Sequence, residues 1–477
     1  MSDLLTRAYA PAEFRRQGHA LIDQLADYLE RVDDYPANPY ATPEESLEEF
    51  RALLARGAGA EEIFERVIAR SVHLHHPAYL GHQVVPPAPL SALSDVAASL
   101  LNTGMAIFEM GRPGTAMERL VIERFAELLE LDSGAGGFLT SGGSLANLTA
   151  LLAARARHES RDGGGRYCLL VNEHAHYCIE RAVRVMGWGA DGIVHVPTDD
   201  HLRMRTELID GLLQDARDRG LTPIALVGSA CTTATGTYDP ITALADAAEK
   251  HQLWLHIDGA HGAAVRLDPA RRHLVEGLER VDSLTLDFHK MLMAPAITTG
   301  LFFRRGTDAY RTFQQRAEYL LTATEEPEDW ANIARRSFEC TKRMLSLRIF
   351  TLLSVYGSQL FVDYVSRVGE LGQELARGVN RRPELELFMP PDINIVCFRF
   401  HRPDLDLASR NGLNGLIRTR MTESGQTYIV QTTLDGEVYL RCTLTNAFTT
   451  TAELDAMLEQ VVALGNEWLA LRANLGA

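Results

Sequence analysis

The chain has no closely spaced cysteines, no basic surplus and no long apolar run, and each absence removes a class of protein. Its six cysteines, Cys168, Cys178, Cys231, Cys340, Cys397 and Cys442, are scattered. Neither a disulfide framework nor a zinc knuckle is therefore expected, and the thiols read as core residues of a cytoplasmic protein. Lysine and arginine number 47 against 63 acids, a formal net charge of −16. That balance argues against nucleic acid or an anionic membrane as partner, since both call for a basic face. No uncharged apolar stretch is long enough to span a bilayer, and Met1 to Leu5 carry neither the basic nor the apolar region of a secretory leader. Repeats and low-complexity segments are also missing. What remains is a 477-residue chain, 46% hydrophobic and 23% charged, with the length for two or three domains and an ordinary globular make-up.

Apolar spacing sets the order of elements. Phe14, Leu21, Ile22, Leu25, Tyr28 and Leu29 recur at helical spacing and predict an amphipathic helix over 11–32. Thr42, followed by Pro43, Glu44 and Glu45, is the start signal of another. Three such helices before residue 75 are few for a domain of their own, so their apolar faces are expected to pack on another subunit or on the main domain. From Gly137 onward strands and helices alternate, with strands expected at 167–172, 192–196, 223–227 and 253–257 and a helix at 241–251. Such alternation predicts an α/β domain with a mainly parallel sheet, whose ligand crevice lies at the carboxyl ends of the strands. An acidic stretch at 322–330 reads as a lid, a long helix is expected over 346–365, and strands at 393–400, 428–432 and 438–443 with a closing helix at 452–471 predict a small α+β domain. The expected division is 1–75, an N-terminal helical segment; 76–365, a large α/β domain; and 366–477, a small C-terminal domain.

Two strand ends carry the chemistry. The stretch Ser283, Leu284, Thr285, Leu286 stops at Asp287 and then delivers His289 and Lys290, while the strand before Asp258 gives way to Gly259, Ala260 and His261. An amine at one strand end and a carboxylate at another suit pyridoxal phosphate, which needs a lysine for its aldehyde and an acid to keep its pyridine nitrogen protonated. Ala260, two residues beyond the acid, leaves room for the ring to lie flat. The run Thr140, Ser141, Gly142, Gly143, Ser144 joins a strand to an alanine-rich helix, the geometry that offers backbone N–H groups to a phosphate. His174, His176, Thr232 and Thr233 also fall at strand ends. His73, His75 and His76 invite a metal reading, but no cysteine or acidic cluster stands at ligand spacing, and no metal site is expected. His82 and Gln83 open a proline-rich loop that reads as a pocket wall.

Together these motifs resemble the group II pyridoxal-phosphate decarboxylases, the family of the aromatic-L-amino-acid, glutamate, cysteine-sulfinate and diaminobutyrate decarboxylases. The resemblance covers nearly the whole chain. It runs from Glu13, Phe14, Arg15, Arg16 through His76, Pro77, Ala78, Tyr79, the Thr140 to Ser144 turn, Glu173 to His176 and Thr232–Thr233 to the Asp258 and Lys290 motifs and Leu440–Arg441. It implies a type I pyridoxal-phosphate-enzyme fold and a homodimer whose N-terminal helices wrap the partner and whose sites are shared. It further implies that Lys290 forms a Schiff base with the cofactor, that Asp258 pairs with the ring nitrogen, and that His176 stacks on the ring. Gly143, Ser144 and His289 would hold the phosphate, Thr233 the ring hydroxyl side and Ala260 the other face. Arg441 would clamp the substrate carboxylate, with His82 and Gln83 beside the substrate. The implied reaction converts an L-amino acid to an amine and carbon dioxide.

Two departures keep alternatives open. Some relatives have Asn where this chain has Asp287; a carboxylate there would repel a phosphate, so Asp287 is expected to bond His289 or backbone donors. Aromatic decarboxylases of the family carry a loop tyrosine that protonates the substrate carbon, and between Thr322 and Arg336 this chain has none. His176, a tyrosine of the other subunit or water is left as donor. A decarboxylation-dependent oxidative deamination to an aldehyde stays open as well, as does a catalytically idle relative that binds cofactor.

Overall fold

Short apolar runs build the sheet of the larger unit: β1 (Gly136–Thr140), β2 (Tyr167–Asn172), β3 (Ile193–Val196), β4 (Thr222–Ser229), β5 (Trp254–Asp258), β6 (Ser283–Asp287) and β7 (Thr299–Phe303). They are seen in a computed structural model that describes residues 3–162, 165–313 and 329–475. The strand order is β1-β7-β6-β5-β4-β2-β3. Only β7 runs against the others, pairing antiparallel with both β1 and β6, so the expected mainly parallel sheet is what forms. β2, β5, β6 and β7 are buried at every residue, as strands covered on both faces must be. The helix Gly143–Asp162 packs against β4, β5, β6 and β7. Its Ala146, Ala150, Ala153 and Ala154 are buried in the core with Val171, Val227 and Leu301, and side chains this small let the helix approach the strands closely.

By its contacts the chain divides into two units. Gln83–Gln373 with Met389–Ile395 form the larger, and Met1–His82, Glu374–Phe388 and Val396–Ala477 form the other. In the smaller unit, β8 (Leu385–Leu387), β9 (Ile395–Phe400), β10 (Val430–Leu434) and β11 (Glu437–Thr443) make a sheet of order β10-β11-β9-β8. The N-terminal segment belongs to this unit because its backbone is bonded there. Leu80 N–H donates to Tyr428 O at 2.9 Å, Tyr428 N–H to Ala78 O at 3.1 Å and Thr443 N–H to Leu80 O at 2.8 Å.

Several element boundaries differ from the sequence reading. Four α-helices rather than three precede residue 75: Asp3–Ala8, Pro11–Glu30, Pro43–Arg56 and Ala60–Arg70. The third of these opens as expected, with Thr42 Oγ1 accepting from Glu45 N–H at 3.2 Å and Glu45 Oε2 accepting from Thr42 N–H at 2.8 Å. The single helix expected over 346–365 is two, Ser346–Tyr356 and Gln359–Asn380. Gly357 parts them at φ 73°, a conformation that glycine adopts without the clash a Cβ brings. Five of the six cysteines are buried, but Cys340 is exposed. The expected lid at 322–330 lies outside the described residues apart from Asp329 and Trp330. No helix among the described residues is long and apolar enough to cross a membrane.

Candidate active site

β5 and β6 lie side by side in parallel register, with Asp258 opposite Thr285, so both strands bring an acid to their carboxyl ends. The chain leaves β6 through a single helical turn, Phe288–Met291, which turns His289 and Lys290 back over the strand end. Lys290 Nζ lies 3.0 Å from Asp287 Oδ2. Burial pulls the Lys290 ammonium down, but the Asp287 and Asp258 carboxylates outweigh it and hold its pKa above the usual lysine value. Asp287 was expected to bond His289 or backbone donors. Instead it pairs with Lys290 and accepts from Thr299 Oγ1, and His289 Nε2 stays 3.7 Å away. The reason is reach: from the one-turn helix the longer lysine curls back onto the acid, while the imidazole is tied elsewhere. His289 Nδ1 lies 3.0 Å from Thr298 O and 3.1 Å from Thr298 N.

Asp258 is nine-tenths buried and held from two sides. Asn147 Nδ2 donates to its Oδ2 at 2.8 Å, and Ala260 N–H to its Oδ1 at 3.2 Å. His176 Nδ1 accepts from Cys178 N–H at 3.3 Å. Burial lowers the His176 pKa against the opposing pull of Asp258, so the ring is neutral at physiological pH. Burial, with the Asp258 carboxylate beside it, pushes the Cys178 thiol up to about 12. His176, Cys178 and Asp258 bring ligand atoms within 4.8 Å of one another, close enough for a metal. Yet the Asn147 amide already donates to Asp258 and, at 3.2 Å, to Cys178 Sγ. A cation would have to displace that donor.

At the other end of the crevice, β1 passes through Ser141 and Gly142 into the long helix that starts at Gly143. Gly142 has φ +116°, which favours glycine. A Cβ on Gly143 would stand 3.3 Å from both oxygens of Asp287 and 3.5 Å from Ala260 Cβ. The helix thus begins against the two strand ends, and its first N–H groups and positive end suit a phosphate.

These groups line one cavity of about 380 Å³, within the size range of small-molecule sites. Gly143, Ser144, His176, Thr233, Asp258, Ala260, His289 and Lys290 all border it. Gln83 belongs to the same unit without lining it, and its Nε2 is buried with no hydrogen-bond partner among the described residues. His82 and Arg441 belong to the other unit. There Arg441 is 6% exposed, and burial together with the Arg441 and Arg418 charges lowers the His82 pKa. His73, His75 and His76 pack in that unit as well, and His73 and His75 lie against the ring of Tyr28. Sequence reasoning gave no role to Asn147, Cys178, Cys231, His261 or Ile297, which also line the cavity. Asn147 was findable, because it follows Gly143 by one helical turn and shares its face.

A helix N-terminus with a glycine-built cradle, a buried carboxylate, a neutral imidazole and an amine at a strand end form the donor set that pyridoxal phosphate requires. The residues fit the group. Comparison with known proteins points the same way. The family model "Pyridoxal-dependent decarboxylase conserved domain" matches residues 62–401. An aromatic-L-amino-acid decarboxylase of Bacillus atrophaeus is 25% identical over 461 residues, covering 95% of this chain and 96% of that protein. An L-2,4-diaminobutyrate decarboxylase of Rhizobium meliloti is 28% identical over 411 residues, covering 85% and 81%. The crystal structure of mouse CSAD shares the fold, with a TM-score of 0.87 at 24% identity over 96% of this chain and 99% of that one. The chain belongs to the pyridoxal-dependent decarboxylase family, and is a carboxy-lyase that acts on amino acids with pyridoxal phosphate as its cofactor.

Proposed function

We propose that the chain converts an L-amino acid to the corresponding amine and carbon dioxide, with Lys290 as the amine that engages the cofactor. The observation that carries this reading is the convergence of Lys290, Asp258, His176 and the Gly143–Ser144 helix start on one cavity. When bound, pyridoxal phosphate supplies an aldehyde for the lysine and substrate amines in turn, and a ring that takes up the electron pair left as carbon dioxide departs. The chain's own groups do the rest. Asp258 holds a proton at the ring nitrogen, in a crevice where that contact is far stronger than in water. Asp287, 3.0 Å from Lys290 Nζ, is the counter-ion of the Lys290 ammonium until that group sheds its proton to act as a nucleophile. Gly143, Ser144 and His289 bind the phosphate, Thr233 the hydroxyl side of the ring, and Ala260 leaves its face clear. His176 covers the opposite face and excludes water. We assign Arg441, His82 and Gln83 to the substrate; the burial of Arg441 and its proximity to His82 support the first two.

The donor that reprotonates the substrate carbon has two candidates in this chain, His176 and a tyrosine. The window from Thr322 to Arg336 lacks one, but Tyr319 stands three residues upstream of it, outside the described residues. We also infer a cytoplasmic homodimer. Phe14, Ile22 and Leu25 of the helix Pro11–Glu30 are exposed, as are Leu93, Val96, Leu100 and Leu101 of Pro89–Leu101, and apolar surface on this scale favours a partner. Light scattering that finds the mass of one chain would remove the dimer.

The test of function is direct. Purified protein with pyridoxal phosphate is offered each L-amino acid, dopa, diaminobutyrate and cysteine sulfinate, and carbon dioxide, amine, aldehyde and peroxide are quantified. Carbon dioxide matched by amine is the expected result and names the substrate. Lys290→Ala is expected to abolish the cofactor's bound absorbance and to cut turnover by roughly a thousandfold or more. Absence of turnover on every candidate, with the Lys290→Ala spectrum unchanged, would sink the reading.

A further inference from the structure

Behind Asp258 runs a chain of buried hydrogen bonds whose direction is set at the Asp258 end, where a carboxylate that can only accept turns the Asn147 Nδ2 toward itself and Oδ1 away. Trp254 Nε1–H can only donate, and it donates to Ser283 Oγ at 2.8 Å. Ser283 Oγ also lies 2.9 Å from His256 Nδ1. His256 is 0% exposed, and burial drops its pKa to about 4. Asn147 Oδ1, 3.0 Å from His256 Nε2, can only accept, so the neutral ring carries its one proton on Nε2 and donates it there. Thr285 Oγ1 donates to the same oxygen at 2.6 Å. With two donors on its carbonyl oxygen, the Asn147 amide has one orientation open to it: Nδ2 faces Asp258 Oδ2 at 2.8 Å and Cys178 Sγ at 3.2 Å.

We propose that Asn147 is a positioning residue for the cofactor's ring nitrogen, locked by His256 and Thr285 so that its amide bonds the Asp258 carboxylate and fixes it in rotation. The inference rests on the reading of Asp258 as the ring-nitrogen partner. Without an N–H on Oδ2, this buried carboxylate loses one of the two donors that hold it and is free to turn about its side-chain bonds. It would then no longer aim an oxygen at a neighbouring nitrogen. The relay explains why His256 on β5 and Ser283 and Thr285 on β6, none of which lines the cavity, are polar in fully buried strands.

The test uses the holoenzyme reconstituted with pyridoxal phosphate labelled with 15N in the ring, whose chemical shift reports ring protonation without turnover. Equilibrium dialysis gives the cofactor dissociation constant, and thermal melts verify folding. Asp258→Asn serves as the reference for loss of the ring-nitrogen partner. Asn147→Ala is expected to weaken cofactor binding about tenfold, the loss of one hydrogen bond to a charged group, and to move the 15N shift toward that of Asp258→Asn. Asn147→Asp should do so more strongly, since two carboxylates at this distance share a proton. His256→Gln, which keeps an N–H for Asn147 Oδ1, is expected to stay close to wild type, and His256→Phe to fall between. If the Asn147 variants keep the wild-type shift and affinity while Asp258→Asn loses both, the positioning role is overturned and the Asp258 assignment stands. Should Asp258→Asn itself leave the shift unmoved, the assignment fails and takes the relay with it. If the Asn147 variants do not fold, the two His256 variants decide: equal shifts in Gln and Phe overturn the proposal.

Discussion

Lys342→Met should be among the most damaging single changes available outside the cavity. β1 is the edge strand of the large sheet, and its residue Leu139 has a backbone N–H and C=O with no further strand to meet among the described residues. A buried ion pair takes the place of that strand. Glu118 Oε1 accepts from Leu139 N–H at 3.0 Å, Lys342 Nζ donates to Leu139 O, and the two charges meet at 2.7 Å. Their side chains are 1% and 2% exposed. Removing the ammonium strands the Glu118 carboxylate in the interior, which costs about 3–5 kcal/mol. For a unit of roughly 300 residues, at about 2.1 cal/mol/K per residue, the unfolding entropy is about 0.6 kcal/mol/K, so the melting temperature should fall by about 5–8 °C. Leu139 lies just before the turn that cradles the phosphate, so the variant should also bind cofactor more weakly. The double variant Lys342→Met with Glu118→Gln offers Leu139 a neutral donor and acceptor in place of the pair and should recover to within about 2 °C of wild type. Differential scanning calorimetry with cofactor titration checks both. A drop under about 1 °C in the single variant, or no recovery in the double, would refute the claim that charge compensation at Leu139 holds the edge.

Three further outcomes are expected. Asp287→Asn removes the counter-ion of Lys290, so the pH midpoint for cofactor capture, followed by stopped-flow absorbance, should move down by about 1–3 units; an unmoved midpoint would show that Asp287 does not hold the ammonium. His256 has its folded pKa lowered from 6.5 to about 4. The unfolded chain therefore takes up that proton first, and stability is lost as pH falls through this window, by up to about 3 kcal/mol. Denaturant midpoints should fall less steeply between pH 6.5 and pH 4 in His256→Gln, and identical slopes would contradict a neutral buried ring. If Tyr319 supplies the proton after carbon dioxide leaves, Tyr319→Phe should lower the amine yield and release aldehyde and peroxide in step. An unchanged product ratio would return the role to His176.

The outer frame of the site was legible because it is written in local rules. Glycines and hydroxyls between a strand and an alanine-rich helix, an acid closing one apolar run and a lysine just past another, each state their position within a few residues. Eight expected residues converge on one cavity for that reason. The partner of Asp287 was misjudged because spacing does not say how a side chain turns after a strand ends. One helical turn brings Lys290 back onto Asp287 while His289 leaves toward Thr298. The break at Gly357 was likewise hidden, since one glycine in an apolar run reads as a tolerated helix residue until its φ is known.

The relay behind Asp258 had a signal of its own that apolar counting conceals. Side chains alternate across a strand, so Trp254, His256 and Asp258 share one face of β5, and Ser283, Thr285 and Asp287 share one face of β6. The parallel register sets His256 beside Ser283 and Asp258 beside Thr285. Two neighbouring buried strands therefore present a continuous polar stripe to the helix that carries Asn147. A buried stripe of this kind is costly unless every member is bonded, and apart from the proton relay the strands could have been leucine and valine throughout. The stripe ends on the one carboxylate whose charge the chemistry needs. Replacing Ser283 and Thr285 together by alanine and valine should lower the melting temperature by a few degrees, because the Trp254 N–H and His256 Nδ1 stay buried without their partner. It should also weaken cofactor binding, because Asn147 would lose one direct donor on its carbonyl oxygen and the alignment of the other. A double variant that loses stability yet binds cofactor as tightly as wild type would show that the stripe serves the core rather than Asp258.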